Sequence, residues 1–302
     1  MSGRSYATPE AFKQALEQRL RGFVTTGAEL GRRRQLLVFD RFLARVVATM
    51  GDAAVLKGGL VLEFRLGRAR TTKDVDLRWT GSPDQVLERL QYAGRRALGD
   101  FMSFEVQPDA RHPEIDAEGS RHEGLRFRAE CKLAGKLYGQ RFGVDVAFDD
   151  PITGEPERVE AEDLLAFAGV APPRVRIYPV ESHVAEKLHA YTLPQSRPNT
   201  RVKDLPDLAL LALTKSLEAH LLRAAFEQTF AFRGTHALPA ALPAPPPSWA
   251  PPYTAMAVQE GLRWSTLSEV FDAASAFLDN VLAGNLEGTW DPSRWTWVKG
   301  RP

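Results

Sequence analysis

The sequence predicts an α/β protein in two parts, a mixed sheet flanked by helices over residues 1–180 and a helical lobe over 181–302. Three observations carry this expectation. Two-residue alternation recurs between helical stripes up to about residue 178, as in Asp74-Val75-Asp76-Leu77-Arg78-Trp79. From Glu181 onward apolar residues recur mostly at three- and four-residue spacing. At 302 residues the chain also exceeds the usual size of one domain, so two packed lobes are expected.

Taken in order, Thr8 caps a first helix that Pro9 opens, with Phe12, Leu16, Leu20 and Phe23 as its apolar stripe. A second helix over about 28–50 carries Leu36, Phe39, Leu43 and Val47 inward, and Gly51-Asp52 ends it. Ala54-Val55-Leu56 then enters the Gly58-Gly59 turn as a buried strand. A short helix at 60–66, a strand at 74–79 and a helix at about 83–98 follow. Alternation predicts strands at 101–106, 125–133 and 141–148, and an edge strand at 174–178. Helices are expected at 182–193, 203–213 and 216–232. Seven prolines in 238–253 predict an extended, non-helical connector. Thr266 and Glu269 have capping-box spacing at the start of a last helix to about 283, whose inward stripe is Val270, Phe271, Ala274, Phe277, Leu278 and Val281.

The chemistry concentrates on Lys57-Gly58-Gly59 and Asp74-Val75-Asp76. Neither glycine has a Cβ, so backbone N–H groups there can approach a polyphosphate, and the N-terminus of the following helix faces the same point. Alternation puts Asp74, Asp76 and Arg78 on one strand face and Val75, Leu77 and Trp79 on the other. Two carboxylates side by side repel unless a cation joins them, and hard oxygen ligands suit Mg²⁺ or Mn²⁺. In 141–148, alternation leaves Asp145 opposite Phe142, Val144, Val146 and Phe148, a third carboxylate for a two-metal site. A phosphate cradle beside metal-binding carboxylates is the equipment of nucleotidyl transfer, with an NTP as substrate. Taken alone, a D-x-D on a strand is more often a surface pair, and it is the combination that carries the reading.

These residues resemble the AbiEii/AbiGii toxin family of nucleotidyltransferases, which includes the MenT-type toxins. The likeness lies in Leu56-Lys57-Gly58-Gly59-Leu60, Arg70-Thr71-Thr72-Lys73-Asp74-Val75-Asp76-Leu77, Ser182-His183-Val184-Ala185-Glu186-Lys187-Leu188-His189-Ala190 and Arg201-Val202-Lys203-Asp204-Leu205-Pro206-Asp207. It runs from about residue 56 to 210, and more loosely to Trp290. The resemblance implies a polymerase-beta-like fold, an NTP donor with Mg²⁺, and Lys187 and Asp204 as functional residues beside Asp74 and Asp76. It also implies a toxin with an antitoxin encoded nearby and a target leaning towards the 3′ end of tRNA. Lys57, Gly58, Gly59 and Lys187 are then the nucleotide-binding set, and Asp74, Asp76 and Asp145 the metal set. A Ser or Thr often follows the glycine pair in this family; here Leu60 does, so no hydroxyl contact to the phosphates comes from that position.

From spacing alone Lys187 reads as a solvated helix-face residue, and Asp204 as an N-cap with Asp207 its partner three residues on. His183 and His189 lack zinc-spaced partners and read as surface or packing residues. Net charge is +1, and 30 of the 39 basic residues are arginine, the side chain better suited to bidentate phosphate contacts. Arg32-Arg33-Arg34, Arg201 and Lys203 are the candidate RNA contacts at the cleft between the lobes, and Arg126, Arg128 and Lys132 could form a further basic surface; singly, each cluster reads as a solvated charged face. One cysteine, Cys131, excludes a disulfide within the chain and any multi-cysteine metal site. No apolar run approaches a membrane span and no signal peptide is evident, so cytoplasm is the expected compartment. Two other functions stay open: the same chemistry on a small molecule or protein hydroxyl, and a catalytically silent binding protein on this fold.

Overall fold

The computed structural model describes residues 5–67, 72–115, 124–148, 150–194, 201–285 and 287–299. Arg70 and Thr71 of the second motif lie outside the described residues. The N-terminal part contains α1 (Pro9–Gly22), α2 (Gly27–Met50), β1 (Ala54–Lys57), α3 (Gly59–Leu66), β2 (Asp74–Trp79) and α4 (Val86–Arg95). It continues with β3 (Met102–Pro108), β4 (Gly124–Leu133), β5 (Lys136–Leu137), β6 (Phe142–Ala147), β7 (Glu157–Glu160) and β8 (Arg174–Ile177). The sheet runs β3-β4-β6-β2-β1-β8-β7, with β5 attached to β4. It is mixed, because β2 pairs parallel with β6 and β1 parallel with β8, while β1–β2 and β4–β6 are antiparallel.

Local signals set several elements as expected. Thr8 accepts a hydrogen bond from the Ala11 N–H at the start of α1; on α2 a capping box of Thr26 and Glu29 adds a start signal not read from the sequence. Phe12, Leu16 and Leu20 are buried with Phe39, Phe42 and Leu43 against the sheet. Arg45 is wholly buried; its guanidinium meets Asp100 at 2.6 Å and so ties α2 to the start of β3.

Four expectations are corrected. Phe23 leaves the stripe: α1 ends at Gly22, and the ring is 64% exposed with the Arg33 guanidinium over it. The helix expected at 83–98 is a 3₁₀ turn, Pro83–Gln85, followed by α4, which stops at Arg95. β8 is not an edge strand, because β7 pairs outside it; β7 reads Glu-Arg-Val-Glu and has no apolar alternation to announce it. Part of the proline segment is helical. Pro251 and Pro252 sit in the first turn of α8 (Ala250–Glu260), where a missing N–H breaks no intrahelical bond.

The C-terminal part packs α5 (Val180–Thr192), α6 (Asp204–Leu211), α7 (Ala219–Arg233), α8 and α9 (Leu267–Leu282). Its core is separate, built on Val184, Leu188, Leu208, Phe226, Phe277 and Trp290, and Leu62 of α3 reaches into it. Thr266 and Glu269 form the expected capping box on α9, and Phe271 is only partly buried. A three-stranded sheet was not expected: β9 (Leu217–Glu218), β10 (Thr289–Asp291) and β11 (Thr296–Val298). Its strands are two or three residues long, too short for alternation to show.

Candidate active site

Four neighbouring strands place four charged residues in one row across the sheet. Lys57 of β1 is opposite Asp76 of β2, Asp76 opposite Asp145 of β6, and Asp145 opposite Arg126 of β4. The order is cation, carboxylate, carboxylate, cation. Asp74 lies one step along the same face, and Val75, Leu77 and Trp79 are buried on the other.

Two glycines make room for the β2 carboxylates. A Cβ on Gly58 would sit 2.0 Å from Asp76 Oδ2, and one on Gly143 would sit 2.4 Å from Asp74 Oδ1. Gly143 donates its N–H to that same oxygen at 3.1 Å. Gly58 also has φ +67°, so its lack of a side chain answers two demands: the turn into α3 and the close approach of Asp76.

Burial, and after it the charge of Asp145, raises Asp76 from 3.8 to about 6, although Lys57 and Lys187 pull the other way. Asp76 is thus a buried carboxylate beside a second one, and oxygen-only donors in that condition fit a divalent cation. Among the described residues no three His, Cys, Asp or Glu side chains converge as a ready ligand set. One reason is visible. Asp145 is turned to Arg126, whose Nε and Nη2 donate to its two oxygens at 2.9 and 2.8 Å.

On the other side of Asp76, the Lys57 ammonium lies between Asp150 and Glu186, the latter at 2.7 Å. Burial alone lowers its pKa, but the two carboxylates outweigh this and raise it. Asp150 is buried and also takes Arg233 of α7 at 2.9 Å, so this cluster ties the sheet to the helical lobe.

Lys187, mid-way along α5, reaches Asp204 and Asp207 of α6 at 2.8 Å each. Asp204 is the first residue of α6 rather than its cap, and Lys203 in the cap position makes no side-chain capping bond. Asp207 is fully buried and holds Lys187 as closely as Asp204 does. His183, one turn before Lys187, is buried with both ring nitrogens unpartnered. Burial, with Lys187 next, pushes its pKa down to about 3, so the ring is neutral. His189 is buried too, its Nε2 2.7 Å from the Thr235 hydroxyl, so neither histidine is a surface residue.

One cavity of about 410 Å³ is lined by Lys57, Gly58, Gly59, Asp74, Asp76, Lys187, Arg201, Lys203 and Asp204, which are most of the residues singled out in the sequence. His183, Glu186 and Arg233 line it as well. Asp145 lies outside this lining and joins the site through its register with Asp76. Arg32, Arg33 and Arg34 are not at this cleft. Arg32 pairs with Glu63 at 2.6 Å, Arg33 with Glu162, and Arg34 with Glu17 at 2.6 Å; Arg32 and Arg33 line a separate cavity of about 550 Å³. Arg128 and Lys132 likewise pair, with Asp109 and Glu105.

Asp150, Glu186 and Arg233 are not among the residues the sequence singles out, and Asp207 stands out there only as a capping partner. Glu186 and Asp207 lay inside quoted motifs. Asp150 sat in Asp149-Asp150-Pro151 and read as a boundary, and Arg233 carried no signal. Asp149 is outside the described residues.

The family description "Nucleotidyl transferase AbiEii toxin, Type IV TA system" matches residues 41–277. The chain belongs to this family. It is therefore a nucleotidyltransferase of the AbiEii type, a toxin of a type IV toxin–antitoxin system. The fold of this AbiEii-family chain is similar to that of MenT4, a nucleotidyltransferase toxin from Mycobacterium tuberculosis H37Rv, at TM-score 0.60 and 18% identity over 94% of this chain and 92% of that one. JHP933 from Helicobacter pylori aligns at TM-score 0.45 and 14% identity over 83% and 93% of the two chains. No curated protein matches the sequence. No described helix is long and apolar enough to cross a membrane.

Proposed function

We propose that this AbiEii-family transferase uses an NTP and a divalent metal ion to add nucleotides to the 3′ end of tRNA, and that this blocks translation in the cytoplasm. The metal and NTP part is carried by one observation: Asp76 stands opposite Asp145 across the β2–β6 pairing and lines a cavity that also presents Gly58, Gly59 and Lys187. In this reading the catalytic cleft lies between an N-terminal unit, residues 1–180, and a helical unit, residues 181–302.

The triphosphate lies against the Gly58-Gly59 backbone at the start of α3, where N–H groups and the helix dipole favour negative charge. Asp74 and Asp76, with Asp145 as the third carboxylate, would hold the metal ion, which supplies Lewis-acid stabilisation of charge on the phosphoryl oxygens. The acceptor hydroxyl gives up its proton to solvent, its oxygen forms a bond to the α-phosphorus, and the bond to pyrophosphate breaks, so that pyrophosphate leaves with the electron pair of that bond. Lys187 is oriented by Asp204 and Asp207 on the cavity wall, and its ammonium neutralises charge that grows on the leaving pyrophosphate. Arg201 and Lys203 line the same cavity and would contact the phosphates of the RNA end.

The test is to incubate the protein with each labelled NTP, Mg²⁺ and total RNA, total protein or a small-molecule extract. Label is expected at the 3′ end of tRNA. Label confined to protein or small molecules overturns the tRNA assignment, and no label in any fraction overturns the donor and metal assignment.

A further inference from the structure

We propose that Arg126 is the resident counter-ion of Asp145, that a divalent cation displaces it, and that the released guanidinium takes a phosphate of the acceptor strand. This rests on the reading of the site as a metal-dependent transferase.

The row across the sheet has two ends with different chemistry. At one end β1 carries Lys57 and runs into the glycine turn, which is the donor side. At the other end β4 carries Arg126, beyond Asp145. A group that approaches Asp145 from outside the row therefore meets Arg126 before it meets the donor. Both Asp145 oxygens already receive N–H donors from one guanidinium fork. A second cation on that carboxylate meets the full positive charge of the fork a few ångströms away, so metal and guanidinium compete for Asp145.

Displacement leaves Arg126 with a place to go. Its side chain is 33% exposed, against 0% for Arg45 in the buried pair with Asp100, so the freed group can turn to solvent without an unpaired charge being trapped in the core. Arg128, two residues along the same strand, is 59% exposed and held by Asp109 through one oxygen. The freed fork is on the acceptor side, planar and doubly donating, which matches a phosphodiester better than any neutral acceptor group. In this arrangement metal loading and acceptor binding are coupled. Without the cation, Arg126 blocks Asp145 and is itself unavailable to the acceptor.

Four proteins decide it: wild type, Arg126→Gln, Arg126→Lys, which keeps the charge without the fork, and Asp76→Asn as a control. The first readout is Mn²⁺ affinity by titration calorimetry with no NTP and no acceptor. Loss of one charge-assisted, partly exposed pair predicts a rise of roughly tenfold in Arg126→Gln, and a smaller rise in Arg126→Lys. Equal or weaker Mn²⁺ binding by Arg126→Gln, in a protein whose melting transition is intact, overturns the proposal. The second readout is affinity for a CCA-ended RNA oligonucleotide with and without Mn²⁺, with Asp76→Asn as the control for metal bound to the RNA itself. Wild type is expected to gain affinity with Mn²⁺ and Arg126→Gln to show no gain. A full gain in Arg126→Gln overturns the acceptor contact. Wild-type protein that binds no Mn²⁺ and labels no acceptor removes the transferase reading itself. Wild type that does both, beside an unchanged Arg126→Gln, removes only this inference.

Discussion

Replacing Gly58 by alanine should damage stability and catalysis together, and the structure says by how much. The residue has φ +67° and ψ −157°, a region that is essentially glycine's alone. Placing a Cβ there costs about 1–3 kcal/mol in backbone strain. The new carbon would also sit 2.0 Å from Asp76 Oδ2 and 2.6 Å from its Cγ, so either the turn or the carboxylate must shift. Asp76 is in a sheet row with Lys57 and Asp145, and it can leave only by giving up the position proposed for holding the metal beside the phosphates. Gly67→Ala is the internal control: its φ is +66°, but nothing lies within 4 Å of the added carbon. That variant should cost about 1 kcal/mol of backbone strain with transfer intact. At roughly 2 °C per kcal/mol for a chain of this size, Gly58→Ala should lower Tm by about 5 °C and Gly67→Ala by about 2 °C. Differential scanning calorimetry and nucleotide incorporation at 20 °C would be measured on both. Gly58→Ala with wild-type transfer, or the two variants equal in both assays, would refute the argument that Gly58 is there for Asp76.

Asp76→Asn should abolish transfer yet raise the metal-free Tm at pH 7.5. Its raised pKa means that the folded state favours the protonated acid, so the group's stabilising share is present below about pH 4 and is lost as pH rises through about 6. The Tm advantage of the variant should therefore vanish in acid, and an advantage that persists at pH 3.5 counts against the assignment. Lys187→Ala should lower turnover by about 10²-fold, and should destabilise the fold because Asp207 is left buried without its cation. Near-normal turnover in that variant returns Lys187 to a structural role. Charge reversal of Arg201 and Lys203 should weaken tRNA binding and flatten its salt dependence by roughly 0.7–0.9 per lost phosphate contact. Reversal of Arg32, Arg33 and Arg34 should lower Tm and leave RNA affinity unchanged, because each is already paired with a carboxylate away from the cleft.

Local chemistry accounts for what was legible along the chain. Period-two alternation assigned Asp74, Asp76 and Asp145 to faces opposite their apolar neighbours, and the burial of Val75, Leu77, Val144 and Val146 follows it. The caps read at Thr8 and Thr266 involve residues three apart, so sequence is enough to foresee such bonds. The failures share a cause as well. β7 has no apolar face, β9 to β11 are too short to show a period, and the prolines of α8 break no bond in a first turn.

The sequence by itself singled out most of the residues proposed to carry the chemistry: a glycine turn and three strand carboxylates are readable because each depends on its immediate neighbours, whereas Lys187 reads from spacing as a solvated residue and stands out only through the family resemblance. Their partners were decided only by tertiary structure. Asp76 meets Asp145 because β2 and β6 pair in parallel, Lys57 meets Glu186 across 129 residues, and Arg126 takes Asp145 rather than solvent. Strand register depends on the packing of the apolar sheet face against helices far away in the chain, and a one-residue slip would turn each carboxylate to the opposite face. For the same reason the most basic run in the chain, Arg32-Arg33-Arg34, was unreadable as to its role: a charge pattern is local, but the carboxylates that neutralise it arrive from α1, α3 and the segment after β7.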